Sequence, residues 1–123
     1  MASVILVVDD RPGIRRLLQE VLQDAEYRVI TAAGGREALD IVEQTHVDLV
    51  LLDMKMSGMD GLETLTRMKE CASGTVILIM TAYEELEVLT EARRRGAAGY
   101  ISKPFDIEEL KDIIARSLRK VSA

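Results

Sequence analysis

The stretch Val47-Asp48-Leu49-Val50-Leu51-Leu52-Asp53 decides the fold: it is almost wholly apolar up to Leu52 and then stops abruptly on a carboxylate. It scarcely alternates between apolar and polar residues, so it reads as a strand covered on both faces, the habit of strands in a parallel sheet. The runs Val4 to Val8 and Thr75 to Met80 read the same way. Gly99-Tyr100-Ile101 is a shorter candidate, and Arg28-Val29-Ile30-Thr31-Ala32 a weaker one. Between these runs the apolar residues take helical spacing. Ile14, Leu17, Leu18, Val21 and Leu22 form one stripe, and Ile107, Leu110, Ile113, Ile114 and Leu118 another. The latter helix should start at Asp106, with Glu108 and Glu109 in its first turn and Arg116, Arg119 and Lys120 near its end, matching the helix dipole. Further helices are expected over about 36–45, 61–72 and 85–95, the last ended by Gly96.

Strand and helix therefore alternate five times in 123 residues. That order predicts an α/β domain, doubly wound, with a parallel sheet, helices on both faces and right-handed crossovers. The length fits one domain, and 48% apolar with 30% charged residues suits a chain that buries a core without metals or disulfides. With 16 basic against 21 acidic residues the net charge is −5, which argues against direct nucleic-acid binding. Cys71, the only cysteine, can form neither an internal disulfide nor a zinc site, which points to a reducing compartment. Met1-Ala2-Ser3 leads into an apolar run too short, and without the basic flank, for a signal peptide, and no apolar run reaches the roughly 18 residues a membrane span needs, so the expected location is cytoplasmic.

In an open α/β sheet ligands bind beyond the carboxyl ends of the strands. Here Asp9-Asp10 follow the first strand, Asp53 ends the third, Thr81 ends the fourth, and Lys103-Pro104 follow the fifth. Each of these alone is equally well explained as a helix cap. Three carboxylates brought together are not, because they repel unless a cation sits among them. An all-oxygen set suits Mg²⁺, and no His/Cys cluster offers the softer ligands zinc prefers. Mg²⁺ beside carboxylates points to phosphoryl chemistry, with Asp53 as nucleophile and with Thr81 and Lys103 binding the phosphoryl oxygens. No Gly-rich phosphate loop is present, so nucleotide binding has no support, and Gly34-Gly35 reads as a turn before a helix.

The ordered set Asp9-Asp10, Asp53, Thr81-Ala82 and Lys103-Pro104 resembles the response-regulator receiver domain of two-component signalling along essentially the whole chain. The blocks Leu51 to Met56, Met80 to Tyr83 and Lys103 to Ile107 are most similar to the single-domain members that serve sporulation phosphorelays. The resemblance implies a strand order 2-1-3-4-5. It also implies that Asp53 is the phosphoacceptor, Asp10 a direct Mg²⁺ ligand, Asp9 a ligand through water, and the Lys55 carbonyl a further ligand. Thr81 and Lys103 would contact the phosphoryl group, Tyr100 would be the switch aromatic that follows Thr81 inward, and Lys103-Pro104 would be a cis bond. The partners implied are a histidine kinase and a histidine phosphotransferase. Gly13, Ile14, Leu17 and Pro104 match positions where such partners dock, although Ile14 and Leu17 read equally well as core. Ser57 departs from the family, which usually has proline there, and this puts the stiffness of the loop in question.

Two rival chemistries fit less well. A phosphatase of the haloacid dehalogenase kind wants an acidic residue two places after the nucleophile, where this chain has Lys55. An FMN binder wants a Ser/Thr-rich phosphate loop and aromatic residues, which make up only 3% of this chain. His46 reads as a surface histidine, so a donor histidine must come from a partner. Arg93-Arg94-Arg95 reads as a solvated helix end. The fourth helix carries few large apolar residues and is expected to move on phosphorylation, and Lys55 and Tyr83 are expected to influence the lifetime of the phosphoryl group. The last helix leaves only Val121-Ser122-Ala123, so the expectation is a monomeric stand-alone relay over residues 1–123 without an output domain, the alternative being a receiver from a longer transcription factor.

Overall fold

Five parallel strands form the middle layer of the computed structural model, which describes residues 2–55, 60–82 and 86–122. They are β1 (Val4–Val8), β2 (Arg28–Ala32), β3 (Leu49–Asp53), β4 (Val76–Ala82) and β5 (Gly99–Lys103). The helices are α1 (Pro12–Asp24), α2 (Gly35–Gln44), α3 (Gly61–Cys71), α4 (Leu86–Arg94) and α5 (Ile107–Ser122). The sheet order is β2-β1-β3-β4-β5. The weakest strand candidate, residues 28–32, pairs with β1 along its full length, from Val4 opposite Arg28 to Val8 opposite Ala32.

The lack of alternation in the apolar runs has the expected cause. Every residue of β3 is buried, because α1 and α5 cover one face of the sheet and α2, α3 and α4 the other. Leu49 and Leu51 pack with Leu18, Leu22, Leu110 and Ile114 on the first face. Val50 and Leu52 pack with Leu39, Leu65, Met68 and Ala92 on the second. Each large side chain so buried contributes about 1.5–3 kcal/mol.

Helix ends follow local chemistry. Pro12 opens α1, where its missing N–H costs nothing. The Asp60 carboxylate accepts from the Glu63 amide at 2.8 Å and Asp106 from the Glu109 amide at 3.0 Å, both N-caps. Gly96 ends α4 at a φ of 112°, a conformation glycine adopts without strain.

The structure corrects some details. Lys103 is the last residue of β5 rather than the residue after it. Ile107 is 38% exposed, because the apolar stripe of α5 reaches the sheet only at Leu110. Leu17 is 39% exposed, whereas Leu18 and Leu22 are fully buried, so Leu17 is not a core residue of α1. The helix with least buried surface is α4, in which Ala92 alone is fully covered and Val88 and Leu89 only partly. Met56, Ser57 and Tyr83, which figure in the sequence reading, lie outside the described residues.

Candidate phosphoacceptor and cation site

Because α1 leads from β1 to one side and α3 leads from β3 to the other, the carboxyl ends of these adjacent strands face an uncovered crevice. β1 delivers Asp9 to it and β3 delivers Asp53. Asp9 is fully buried and Asp53 is 2% exposed, while Asp10 lies more open. Carboxylate oxygens of Asp9, Asp10 and Asp53 all lie within 4.8 Å of one another. Asp10, Asp53, Lys55, Thr81 and Lys103 line one cavity of about 290 Å³, with Arg11 and Met80 completing its wall. The residues selected from the ends of the apolar runs are thus brought together.

Positive charge from the chain itself compensates this cluster. Lys103 Nζ donates to Asp53 Oδ1 at 2.7 Å and sits 3.6 Å from Asp9 Oδ2. Arg11 grips Asp9 from the side: its backbone amide and Nε donate to Oδ1 at 2.9 and 3.1 Å, and its Nη2 to Oδ2 at 2.9 Å. Arg15 donates to the Asp9 carbonyl at 2.7 Å. Burial alone would raise the Asp9 pKa. The hydrogen bonds from the Arg11 side chain and amide, together with the charges of Lys103 and Arg11, outweigh it and hold the carboxyl below the ordinary aspartate value. Asp53 also receives a long contact, 3.4 Å, from the Lys55 amide.

Sequence reasoning missed Arg11 and Arg15. The available signal was weak: one arginine two places after Asp9 at the helix start, and another one turn further on.

The donor set suits a hard divalent cation. It offers three carboxylates, with Lys55 lining the same cavity, and among the described residues no other cluster of this kind occurs. Thr81 is 4% exposed and lies opposite Ser102 in the sheet register. Tyr100 is 45% exposed, on the same strand as Lys103, and lines a separate groove with Leu86 and Leu89 of α4. The Lys103–Pro104 bond is cis. Gly13, Leu17 and Pro104 are exposed and Ile14 is half-buried against the core. Met54, in contrast, is only 8% exposed and belongs to the core.

Elsewhere the plainer readings hold. His46 is solvent-exposed, with Nε2 2.9 Å from Asp48 Oδ1. Arg94 and Arg95 pair with Glu91 on the surface of α4, and Cys71 is exposed at the end of α3.

Comparison with known proteins agrees with the geometry. The chain is 48% identical to sporulation initiation phosphotransferase F of Bacillus subtilis over 118 residues, 96% of this chain and 95% of that protein. It is 40% identical to the regulatory protein AtoC of Escherichia coli over 94% of its own length, spanning about a quarter, 25%, of that longer protein. Its fold superposes on a CheY-like receiver domain protein from Methanospirillum hungatei with a TM-score of 0.96 at 30% identity, covering 99% of this chain and 98% of that one. On the chemotaxis protein CheY4 of Vibrio cholerae the TM-score is 0.88 at 36% identity, covering 95% and 99% of the two chains. Residues 5–115 match the response regulator receiver domain as a family, and the chain belongs to it.

Proposed function

We propose that Asp53 accepts a phosphoryl group from a phosphohistidine of a partner kinase and hands the signal on, by transfer to a histidine phosphotransferase or by contact. The observation that carries this reading is the pairing of a buried strand-end carboxylate with Lys103 at 2.7 Å in a cavity that Thr81 also lines. Asp53 attacks phosphorus, the bond to the imidazole nitrogen breaks, and the acyl phosphate forms. Lys103 holds the attacking carboxylate and then faces the new dianion, and the Thr81 hydroxyl donates to a phosphoryl oxygen. Asp10 and Asp53, with the Lys55 carbonyl and with Asp9 through water, would hold Mg²⁺, which when bound neutralises charge on the transferring oxygens.

Phosphorylation adds about −1.5 to −2 charges. It acts on the fold only through contacts that differ between two states, here those of Thr81 and Lys103. Tyr100 and the lightly buried α4 are the parts we assign to the response. Gly13, Ile14, Leu17 and Pro104 form the docking face for the partner. The relay role rests on similarity along 95% of the sporulation phosphotransferase. The net charge of −5 favours protein partners over nucleic acid. Among the described residues no helix is long and apolar enough to cross a membrane. We assign the chain to the cytoplasm, as a monomer.

The test is labelling with a small phosphodonor such as acetyl phosphate. Wild-type protein should gain a hydroxylamine-labile phosphate in Mg²⁺ and lose that ability in chelator. Asp53→Ala should lower labelling by at least about 100-fold, the scale expected for loss of a nucleophile. Full labelling of the variant sinks the assignment.

A further inference from the structure

A cation entering the crevice meets a carboxylate that is already occupied. Both oxygens of Asp9 are engaged: Oδ1 by the Arg11 amide at 2.9 Å and Nε at 3.1 Å, Oδ2 by Arg11 Nη2 at 2.9 Å, with Lys103 Nζ 3.6 Å away. A carboxylate has about four lone-pair sites, so Arg11 alone holds three of them. The one site left faces Lys103 Nζ, so ligation by Asp9, direct or through a water, brings the cation up against two positive groups, of which the Arg11 guanidinium is the more exposed.

The two parts of Arg11 differ in how readily they let go. The amide is fixed by the backbone at the start of α1 and stays. The guanidinium side chain is 50% exposed and Arg11 is the N-cap, outside the packed face of the helix, so it can swing into solvent without disturbing the core. Its charge is felt by all three carboxylates, Asp9, Asp53 and Asp10.

We propose that Arg11 is a built-in competitor of the divalent cation. Its guanidinium is a positioning group that holds Asp9 while the crevice lacks the ion and is displaced when the ion binds. This rests on the reading of the Asp9, Asp10 and Asp53 cluster as a divalent-cation site. The bidentate fork matters as well as the charge, because a lysine ammonium would hold Asp9 at one point rather than two. Arg11 therefore sets the Mg²⁺ concentration at which the site fills.

The experiment is a Mg²⁺ titration of the full chain followed by the backbone amide shifts of Asp10 and Asp53, with no phosphodonor present. Arg11→Gln should bind Mg²⁺ about two- to five-fold more tightly than wild type, the scale of one partly exposed ion pair. Arg11→Lys should fall between the two. Arg16→Gln makes the same change in net charge on the solvent side of α1, where Arg16 pairs with Glu20, and should stay within about 1.5-fold of wild type. The proposal is overturned if Arg11→Gln binds no more tightly than wild type, or if Arg16→Gln tightens binding equally. Were neither wild type nor any variant to bind Mg²⁺, the cation-site reading would fall and this one with it. Binding by wild type with Arg11→Gln unchanged would overturn the competitor role alone.

Discussion

The two ends of the sheet use the same polar residue types for opposite purposes. At the amino end, Asp48 accepts from the Val4 amide at 2.8 Å and Thr75 donates to the Val47 carbonyl at 2.8 Å. These side chains complete the backbone pairing that begins the strands, beside the Asp48 amide to Val4 carbonyl bond at 2.9 Å. At the carboxyl end, Asp9 and Asp53 sit near each other and are held chiefly by the side chains of Arg11 and Lys103. A carboxylate bound to backbone cannot change partner without loosening a strand. One bound to a side-chain cation can exchange it for a metal ion, or use it to hold a phosphoryl group.

Three substitutions test that contrast. Lys103→Ala, at the carboxyl end, should slow labelling by a small phosphodonor about 100-fold, the usual cost of removing a group that faces developing charge. A wild-type labelling rate would erase the distinction between the ends. Asp48→Ala, at the amino end, should leave labelling unchanged yet lower unfolding stability by about 1–2 kcal/mol, read from the urea midpoint. Leu17→Ala lies between the two regimes, exposed on α1 and bonded to neither end. Its stability should shift by no more than about 0.5 kcal/mol, with small-donor labelling intact, while transfer from a phosphorylated histidine protein falls several-fold.

β1, β3 and β4 were legible because burial on both faces forces apolar runs, whereas the partly exposed edge strands β2 and β5 showed only short or weak runs, although Arg28–Ala32 forms a strand over its full length. The acidic site was legible for the converse reason, since a charge that ends such a run has no role in the core. Lys103 was placed one position outside its strand because a polar residue does not look like a strand member. Ile107 and Leu17 joined apolar stripes that helical spacing alone could not trim, as spacing shows a face but not where the sheet beneath it ends. Arg11 stayed hidden because a long flexible side chain can point many ways, and only the packed structure selects Asp9.

The approach of Gly61 to Met54 bears on how such a domain can diversify. A Cβ on Gly61 would lie 2.8 Å from the Met54 Cα, so the chain just after Asp53 and the first residue of α3 meet backbone to backbone. The Met54 amide is also tied to the Met80 carbonyl at 3.2 Å. A side chain at Gly61 would therefore push directly on the chain just after Asp53. Variation between such domains has to be found elsewhere on the surface, because this position cannot gain a Cβ without moving the end of β3.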